Sequence, residues 1–148
     1  MTTANAVEIY HLLLYIYTMR HKHNKLIELT TGEHVTRSNL IRTMLTNLVR
    51  SGEMTTTSKR AKVLKSEADK FFARLVRLFD LYQDEKDVRR EAIRIVKATI
   101  FSEAEGKKII EEILPKYRAT GKKGGFVADY KIGYRVGDGA EKILVRLI

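Results

Sequence analysis

The sequence lacks cysteine, contains a single proline and has no long apolar run. Without cysteine, disulfide bonds and thiolate metal sites are excluded, and a reducing compartment is favoured. The apolar run at residues 7–17 is interrupted by Glu8 and His11, and it is far shorter than the roughly 20 residues that cross a bilayer. Residues 1–18 contain no Lys or Arg, unlike a secretory signal or a transit peptide. We therefore expect no membrane span.

Acidic residues are also scarce relative to basic ones. The chain has 28 Lys and Arg against 18 Asp and Glu, a net charge of +10 and a pI near 9.8. Such a field attracts polyanions, so nucleic acid or an acidic membrane surface is the expected partner. A length of 148 residues is enough for one domain with its own hydrophobic core.

Two helices and one strand are predicted between residues 37 and 81. In residues 37–50, apolar positions recur at one-turn spacing, and Gly52 follows as a stop signal. Residues 53–57 contain threonines in series, which is typical of a short strand. Ser58 is a suitable N-cap for a second helix that continues to about Leu81.

Two further helices are predicted before the proline. The third occupies residues 87–100 and packs through Val88, Ala92, Ile95, Val96 and Thr99. Ser102 and Glu105 have the spacing of a capping box, which begins a fourth helix packed through apolar residues of 109–114. We expect Pro115 to end this helix, because proline has no N–H to donate.

The chain changes character after Pro115. A basic, loop-like stretch leads through Gly124 and Gly125 to a strand at residues 126–134. The sequence Gly137-Asp138-Gly139 suits a tight connection to a last strand near residues 143–148. The predicted fold class is α+β, with about four helices packed on a small mixed three-stranded sheet and an extended basic N-terminal tail.

The second helix has an apolar face and a cationic face. At about 100° per residue, one side collects the core candidates Ala61, Leu64, Ala68, Phe71, Phe72, Leu75 and Phe79. The opposite side collects Lys59, Lys62, Lys70, Arg74 and Arg77. Solvated faces usually mix charges of both signs, and here acids lie only near the edge of the stripe. Both a solvated face and a surface for phosphates remain open on this pattern alone.

Catalysis finds little support in the sequence. The four histidines lie at the N-terminal end, without cysteine or a compact set of carboxylates around them. His21-Lys22-His23 could bind a metal adventitiously, but contacts with RNA are favoured in so basic a segment. Gly137-Asp138-Gly139 lacks the flanking pattern of a phosphate-binding loop. We expect no enzymatic activity, no cofactor, no metal and no small-molecule substrate.

Five short motifs occur in the order of one known family. They are Met19-Arg20-His21-Lys22; Leu40-Ile41-Arg42 with Leu48-Val49; Thr56-Thr57-x-x-Arg60-Ala61-Lys62-x-Leu64-Lys65; Pro115-Lys116-Tyr117; and Gly124-Gly125-Phe126 with Lys131-x-Gly133-Tyr134-Arg135-x-Gly137-Asp138-x-Ala140. From residue 19 to residue 148 the chain resembles the bacterial-type large-subunit ribosomal protein seventeen family. The resemblance implies a structural protein that binds large-subunit rRNA near the exit of the peptide tunnel, beside neighbouring large-subunit proteins. It implies a cytoplasmic location in the large ribosomal subunit, and an organellar ribosome remains open.

The resemblance also implies candidate RNA-binding residues. Carried over by motif, they are Arg20, His21, Lys22, Arg37, Arg42, Arg60, Lys62, Lys116, Lys131 and Arg135. Other basic residues of the tail, the second helix and the loop after Pro115 add Lys25, Lys70, Arg74, Arg77, Arg118, Lys122 and Lys123. The glycines expected to set the backbone shape are Gly124, Gly125, Gly133 and Gly137.

The family motif also suggests the domain organisation. Because family members begin at the Met-Arg-His motif, we expect Met19 to be the initiator and residues 1–18 to be an upstream extension or a misassigned start. Residues 19–35 would form an rRNA-binding tail, and residues 36–148 a single α+β domain. The tail departs from the family in carrying Glu28 and Glu33. Ala128 stands where the family has an Arg and is followed by Asp129, so one phosphate contact is expected to be absent.

Two other classes of function remain as alternatives. A basic nucleic-acid-binding protein outside the ribosome would share the charge, but it should show a recognition helix or exposed stacking aromatics. A peripheral membrane protein could use residues 9–17 as an anchor beside the basic segment that follows.

Overall fold

The computed structural model describes Leu29 and residues 34–148, with side chains for Leu29 and from residue 38 onward. In chain order the elements are α1 (His34–Ser51), β1 (Glu53–Thr57), α2 (Ser58–Leu81), α3 (Glu85–Thr99), α4 (Glu103–Lys108), a π-helical turn (Ile109–Ile113), α5 (Leu114–Ala119), β2 (Val127–Tyr134) and β3 (Glu141–Leu147). The α+β class is confirmed. The predicted upstream extension and nearly all of the predicted tail lie outside the described residues.

The three strands form one sheet in the order β1-β3-β2, so β3 occupies the centre. Both pairings are antiparallel, whereas a mixed sheet was expected. Antiparallel pairing follows for β2 and β3 because a short turn joins them. The register between these two strands shifts between Lys131 and Gly133, which leaves one extra residue in β2.

Helix α2 is the centre of the hydrophobic core. Its side chains Leu64, Phe72 and Leu75 are completely buried. Six of the seven predicted core residues of this helix are buried, while Phe79 is partly buried, and Val63 and Leu78 join them. The helical period therefore identified the packed face correctly.

An aromatic cluster joins α2 to α5 and to the start of β2. The ring centroids of Tyr117 and Phe126 lie 4.8 Å apart, and those of Phe72 and Tyr117 lie 5.5 Å apart. Burial, aided by the charge of Asp69, raises the pKa of Tyr117 to about 12. The Asp69 carboxylate accepts a hydrogen bond of 2.8 Å from the backbone N–H of Phe126, which fixes the entry of β2 against α2.

The helix-start signals were only partly correct. The N-cap of α2 is Thr57 rather than Ser58, and no side chain caps it, because β1 continues directly into the helix. Ser102 is the N-cap of α4 as expected, but its side chain makes no capping bond. The Glu105 carboxylate is hydrogen-bonded to the Arg50 guanidinium at 2.5 Å, which brings α4 against α1 instead.

The prediction that Pro115 ends the fourth helix is wrong. Helical structure continues through it to Ala119, because a π-helical turn precedes the proline. Within this turn the N–H of Leu114 donates to the carbonyl of Ile109, five residues earlier. The wider turn relieves the clash between the proline ring and the preceding turn of a regular helix. The missing N–H of Pro115 is tolerated in this turn. Residues 116–119, predicted as loop, are therefore helical.

Two of the predicted glycines adopt backbone angles that favour glycine around the β2–β3 connection. Gly133 has a φ of +137° at the register shift, and Gly137 has a φ of +111° in the turn. Gly125 also has a positive φ, whereas Gly124 does not, and a Cβ at Gly124 would meet no atom. The described residues therefore give no steric reason for glycine at position 124.

Candidate nucleic-acid interface

The cationic face of α2 is exposed, and most of its basic side chains form no ion pair among the described residues. Acids lie nearby without pairing: Glu91 is close enough to Arg74, and Asp129 and Glu141 to Lys62, for their charges to interact. Four basic side chains of this face form no ion pair with a described residue, and these are Lys59, Lys62, Arg74 and Arg77. Arg60, at the border between this face and the packed one, is also exposed and forms none. The fifth member of the face, Lys70, lies 3.4 Å from the Glu67 carboxylate. The helical period predicted this exposure, although the list of expected contacts omitted Lys59.

The first turn of α2 carries positive charge where the helix dipole favours negative charge. It contains Lys59 and Arg60 and no acidic residue. The helix N-terminus bears a partial positive charge, so the two side chains oppose it. Uncapped N–H groups and two cations together attract anions, and phosphate is the anion that such helix ends commonly bind.

A pocket of about 370 Å³ between α1, α2 and α3 collects three of the predicted contacts, Arg42, Lys70 and Arg74. Arg42 is held in place there. Its Nε donates to the carbonyl oxygen of Thr99 at 3.3 Å, and its guanidinium lies 4.0 Å from the ring centre of Phe101. This side chain is therefore already ordered, while its remaining N–H groups have no acidic partner among the described residues. Sequence reasoning missed Phe101, because nothing local links it to Arg42.

The basic residues after Pro115 have different environments. The exposed Lys116 and Arg118 lie in α5, and the Arg118 guanidinium lies 4.5 Å from the ring centre of Phe79. The Lys122 ammonium donates to the main-chain oxygen of Ile148 at 3.3 Å. The Lys123 ammonium lies 3.7 Å from the Asp80 carboxylate. Arg118 and Lys122 therefore help to pack the fold while their charges stay available.

Two predicted contacts in the β2–β3 hairpin are neutralised within the chain. The Lys131 ammonium lies 2.7 Å from the Glu141 carboxylate, and this hydrogen bond is the main reason that the pKa of Glu141 is lowered. The Arg135 guanidinium forms two hydrogen bonds with Asp138, which lower the pKa of that carboxyl to about 2. Both cations thus already have partners.

The side chains of the remaining predicted contacts lie outside the described residues. Arg20, His21, Lys22 and Lys25 lie outside the described residues, as does the side chain of Arg37. Asp129, which follows the Ala128 that stands in place of the expected Arg, pairs with Lys65 of α2. This hydrogen bond is the first cause of the lowered pKa of Asp129.

Within the described residues no group of three or more His, Asp or Glu side chains could hold a metal ion. Across the same part of the chain, no helix is long and apolar enough to cross a membrane.

Comparison with known proteins identifies the family. A family model described as ribosomal protein L17 matches residues 40–148. The chain belongs to the ribosomal protein L17 family. Among similar proteins, the large ribosomal subunit protein bL17 of Fervidobacterium nodosum is 32% identical over 136 residues, covering 88% of this chain and 99% of that protein. The bL17 proteins of Moorella thermoacetica and Clostridium botulinum (strain Loch Maree) are 36% and 34% identical over 112 residues, covering 76% of this chain and 89% and 88% of theirs.

Membership of the L17 family fixes the general function. The chain is a structural constituent of the large ribosomal subunit and takes part in translation, and it is not an enzyme. The family thereby favours this function over the two alternatives left open by the sequence.

Proposed function

We propose that this protein binds large-subunit rRNA through the exposed cations of α2 and the adjoining pocket of α1, α2 and α3. The observation that carries the proposal is the row of five basic side chains on α2 without ion pairs among the described residues. Exposed cations that form no ion pair can contact phosphate directly, whereas paired cations must first break an existing contact.

The chemistry of this surface suits the RNA backbone more than base edges. Lys59, Lys62, Arg74 and Arg77 lie on one face of α2, and Arg60 stands beside them in the first turn. Phosphate contacts of this kind position a protein on RNA without reading its sequence. Arg42 adds a guanidinium whose orientation is fixed by Thr99 and Phe101, so little side-chain entropy remains to be lost on binding.

The salt dependence of RNA binding tests this surface. Replacing Lys62, Arg74 and Arg77 together with Gln should weaken binding to a large-subunit rRNA fragment. The slope of log K against log salt should decrease in magnitude by about one unit for each lost phosphate contact. Filter binding of the full chain at several salt concentrations measures both quantities.

A matched control on α3 separates specific contacts from overall charge. Arg89, Arg90 and Arg94 are also exposed, but each is paired with an acid, at 3.8, 3.0 and 2.5 Å. Replacing these three with Gln removes the same charge, yet it should change the slope much less. Equal slopes in the two triple variants would refute the assignment to α2.

We also propose that the protein works in the cytoplasm, with its rRNA contacts near the exit of the peptide tunnel. The support is the family resemblance alone. Electron cryo-microscopy of large subunits containing this chain would test the position, and density for the domain far from the tunnel exit would contradict it.

A further inference from the structure

The β2 strand and its turn expose an unusual amount of apolar surface. Eight large hydrophobic residues are strongly exposed among the described residues, and four of them fall within residues 130–136. They are Tyr130, Ile132, Tyr134 and Val136, with 53%, 53%, 71% and 99% of their surfaces exposed. Concentration of apolar groups in so short a segment marks an interaction surface more strongly than scattered exposure does.

These side chains surround a free sheet edge. Among the described residues, β2 pairs only with β3, so its other edge presents unpaired backbone groups. Tyr130 lies opposite Leu144 and Tyr134 opposite Glu141, three positions apart on β3. Successive residues of a strand point to opposite faces, so the two tyrosines lie on opposite faces of the sheet. A single partner can contact both only by lying along the edge.

The charge of this region disfavours RNA as the partner. Residues 127–141 contain two basic and three acidic residues, within a chain of net charge +10. Both cations, Lys131 and Arg135, are already paired with acids. By contrast, α2 contains seven basic and three acidic residues. The edge of β2 is therefore the neutral, apolar part of a basic molecule, which suits a protein partner.

We propose that the outer edge of β2 binds an extended segment of another protein of the large ribosomal subunit, which adds to the sheet as a further strand. Backbone hydrogen bonds of the added strand would satisfy the free edge, and its apolar side chains would cover Tyr130, Ile132 and Tyr134. The self-paired Arg135 and Asp138 hold the turn in shape, so the fully exposed Val136 extends the same surface.

Site-specific photo-crosslinking in assembled large subunits tests the proposal. The full chain would carry benzoylphenylalanine at position 130, 132 or 134, and purified subunits would be irradiated, treated with ribonuclease and analysed by mass spectrometry. We expect all three positions to crosslink to one segment of another ribosomal protein. An RNA adduct, an adduct with a second copy of this chain, or no adduct would each overturn the proposal. Crosslinks from only one of the two tyrosines would overturn its edge-on geometry.

Two further positions serve as controls. Leu81 at the end of α2 is 60% exposed. It lies about 24 Å along the helix from Lys65, which pairs with Asp129 of β2. A crosslink from Leu81 to the same segment would contradict an interface specific to the edge. Benzoylphenylalanine at Arg74 should give an RNA adduct instead. Its absence would count against the proposed RNA surface and would leave the result at the β2 edge unaffected.

A substitution tests the same edge without a crosslinker. Ile132→Lys should leave binding to an rRNA fragment unchanged, because α2 is intact. In competition with the unsubstituted chain, its share in large subunits should fall by about tenfold, the effect of losing a central interface residue. An unchanged share would overturn the proposal, as would equal losses of RNA affinity and incorporation.

Discussion

Reversing one charge at the start of α2 should stabilise the free protein while it weakens RNA binding. Arg60 lies in the first turn, where no acidic residue is present and no side chain caps the helix. Removing one opposing charge near a helix terminus gains about 0.3–1 kcal/mol, and placing an acid there gains a similar amount. Arg60→Glu should therefore raise the free energy of unfolding by about 1 kcal/mol.

The stability of the free protein can be measured by urea unfolding and thermal denaturation. For a chain of this size, a gain of about 1 kcal/mol corresponds to an increase of about 3 °C in Tm. Arg60→Gln should give about half of that increase, because it removes the opposing cation without adding an acid. In filter binding, both variants should lose affinity for the rRNA fragment, and Arg60→Glu should lose more.

Lys97 provides a matched control at the opposite end of a helix. It is exposed in the last turn of α3, where a basic side chain agrees with the dipole, and it has no ion pair among the described residues. Lys97→Glu should lower the free energy of unfolding by about as much as Arg60→Glu raises it. A loss of stability in Arg60→Glu, or unchanged RNA affinity, would refute the idea that the cations at the start of α2 are kept for RNA.

Two further predictions concern the core and the contact between α1 and α4. Phe72→Ala should lower the free energy of unfolding by about 3–5 kcal/mol because the ring is fully buried. Lys70→Gln should change it by only a few tenths of a kcal/mol. Equal losses of the two variants in urea titrations would contradict the assignment of the two faces of α2. The Ser102 hydroxyl and the Arg50 guanidinium lower the pKa of Glu105 from 4.5 to about 2, so its stabilising effect should be complete above pH 4.5 and lost as the pH falls toward 2. The free energy of unfolding of Glu105→Gln should depend less on pH between pH 2 and 4.5. An unchanged dependence would show that Glu105 does not pair with Arg50 in solution.

The sequence correctly predicted those helices and strands in which the local residue pattern alone determines how the element packs. The bounds of β1 match the prediction and those of α2 match it to within one residue, because the threonine series and the long apolar period each describe a single element. Pro115 was misjudged because the preceding π-helical turn depends on how residues 109–113 pack, which no local signal reveals. Sequence patterns therefore predicted regular helices and strands better than the irregular turns that connect them.

The candidate site shows the same division. Helical periodicity was enough to place Arg74 and Arg77 on an exposed face, because burial of one side of α2 dictates exposure of the other. It could not show that Lys131 and Arg135 are neutralised, because the partner of Lys131 is set by the strand register and that of Arg135 by the fold of the turn. The pairing of charges requires the three-dimensional structure.

The central position of β3 has a consequence for synthesis of the protein. Its partners β1 and β2 both precede it in the chain, and they do not pair with each other. A nascent chain that ends before β3 can form its helices but cannot form any part of this sheet, and it leaves the inner face of α2 incompletely covered. The pairing of β1 with β3 joins segments distant in sequence, and pairing of this kind forms slowly. An unfinished copy would therefore differ sharply from a complete one in exposed apolar surface, which is the feature that chaperones and proteases recognise.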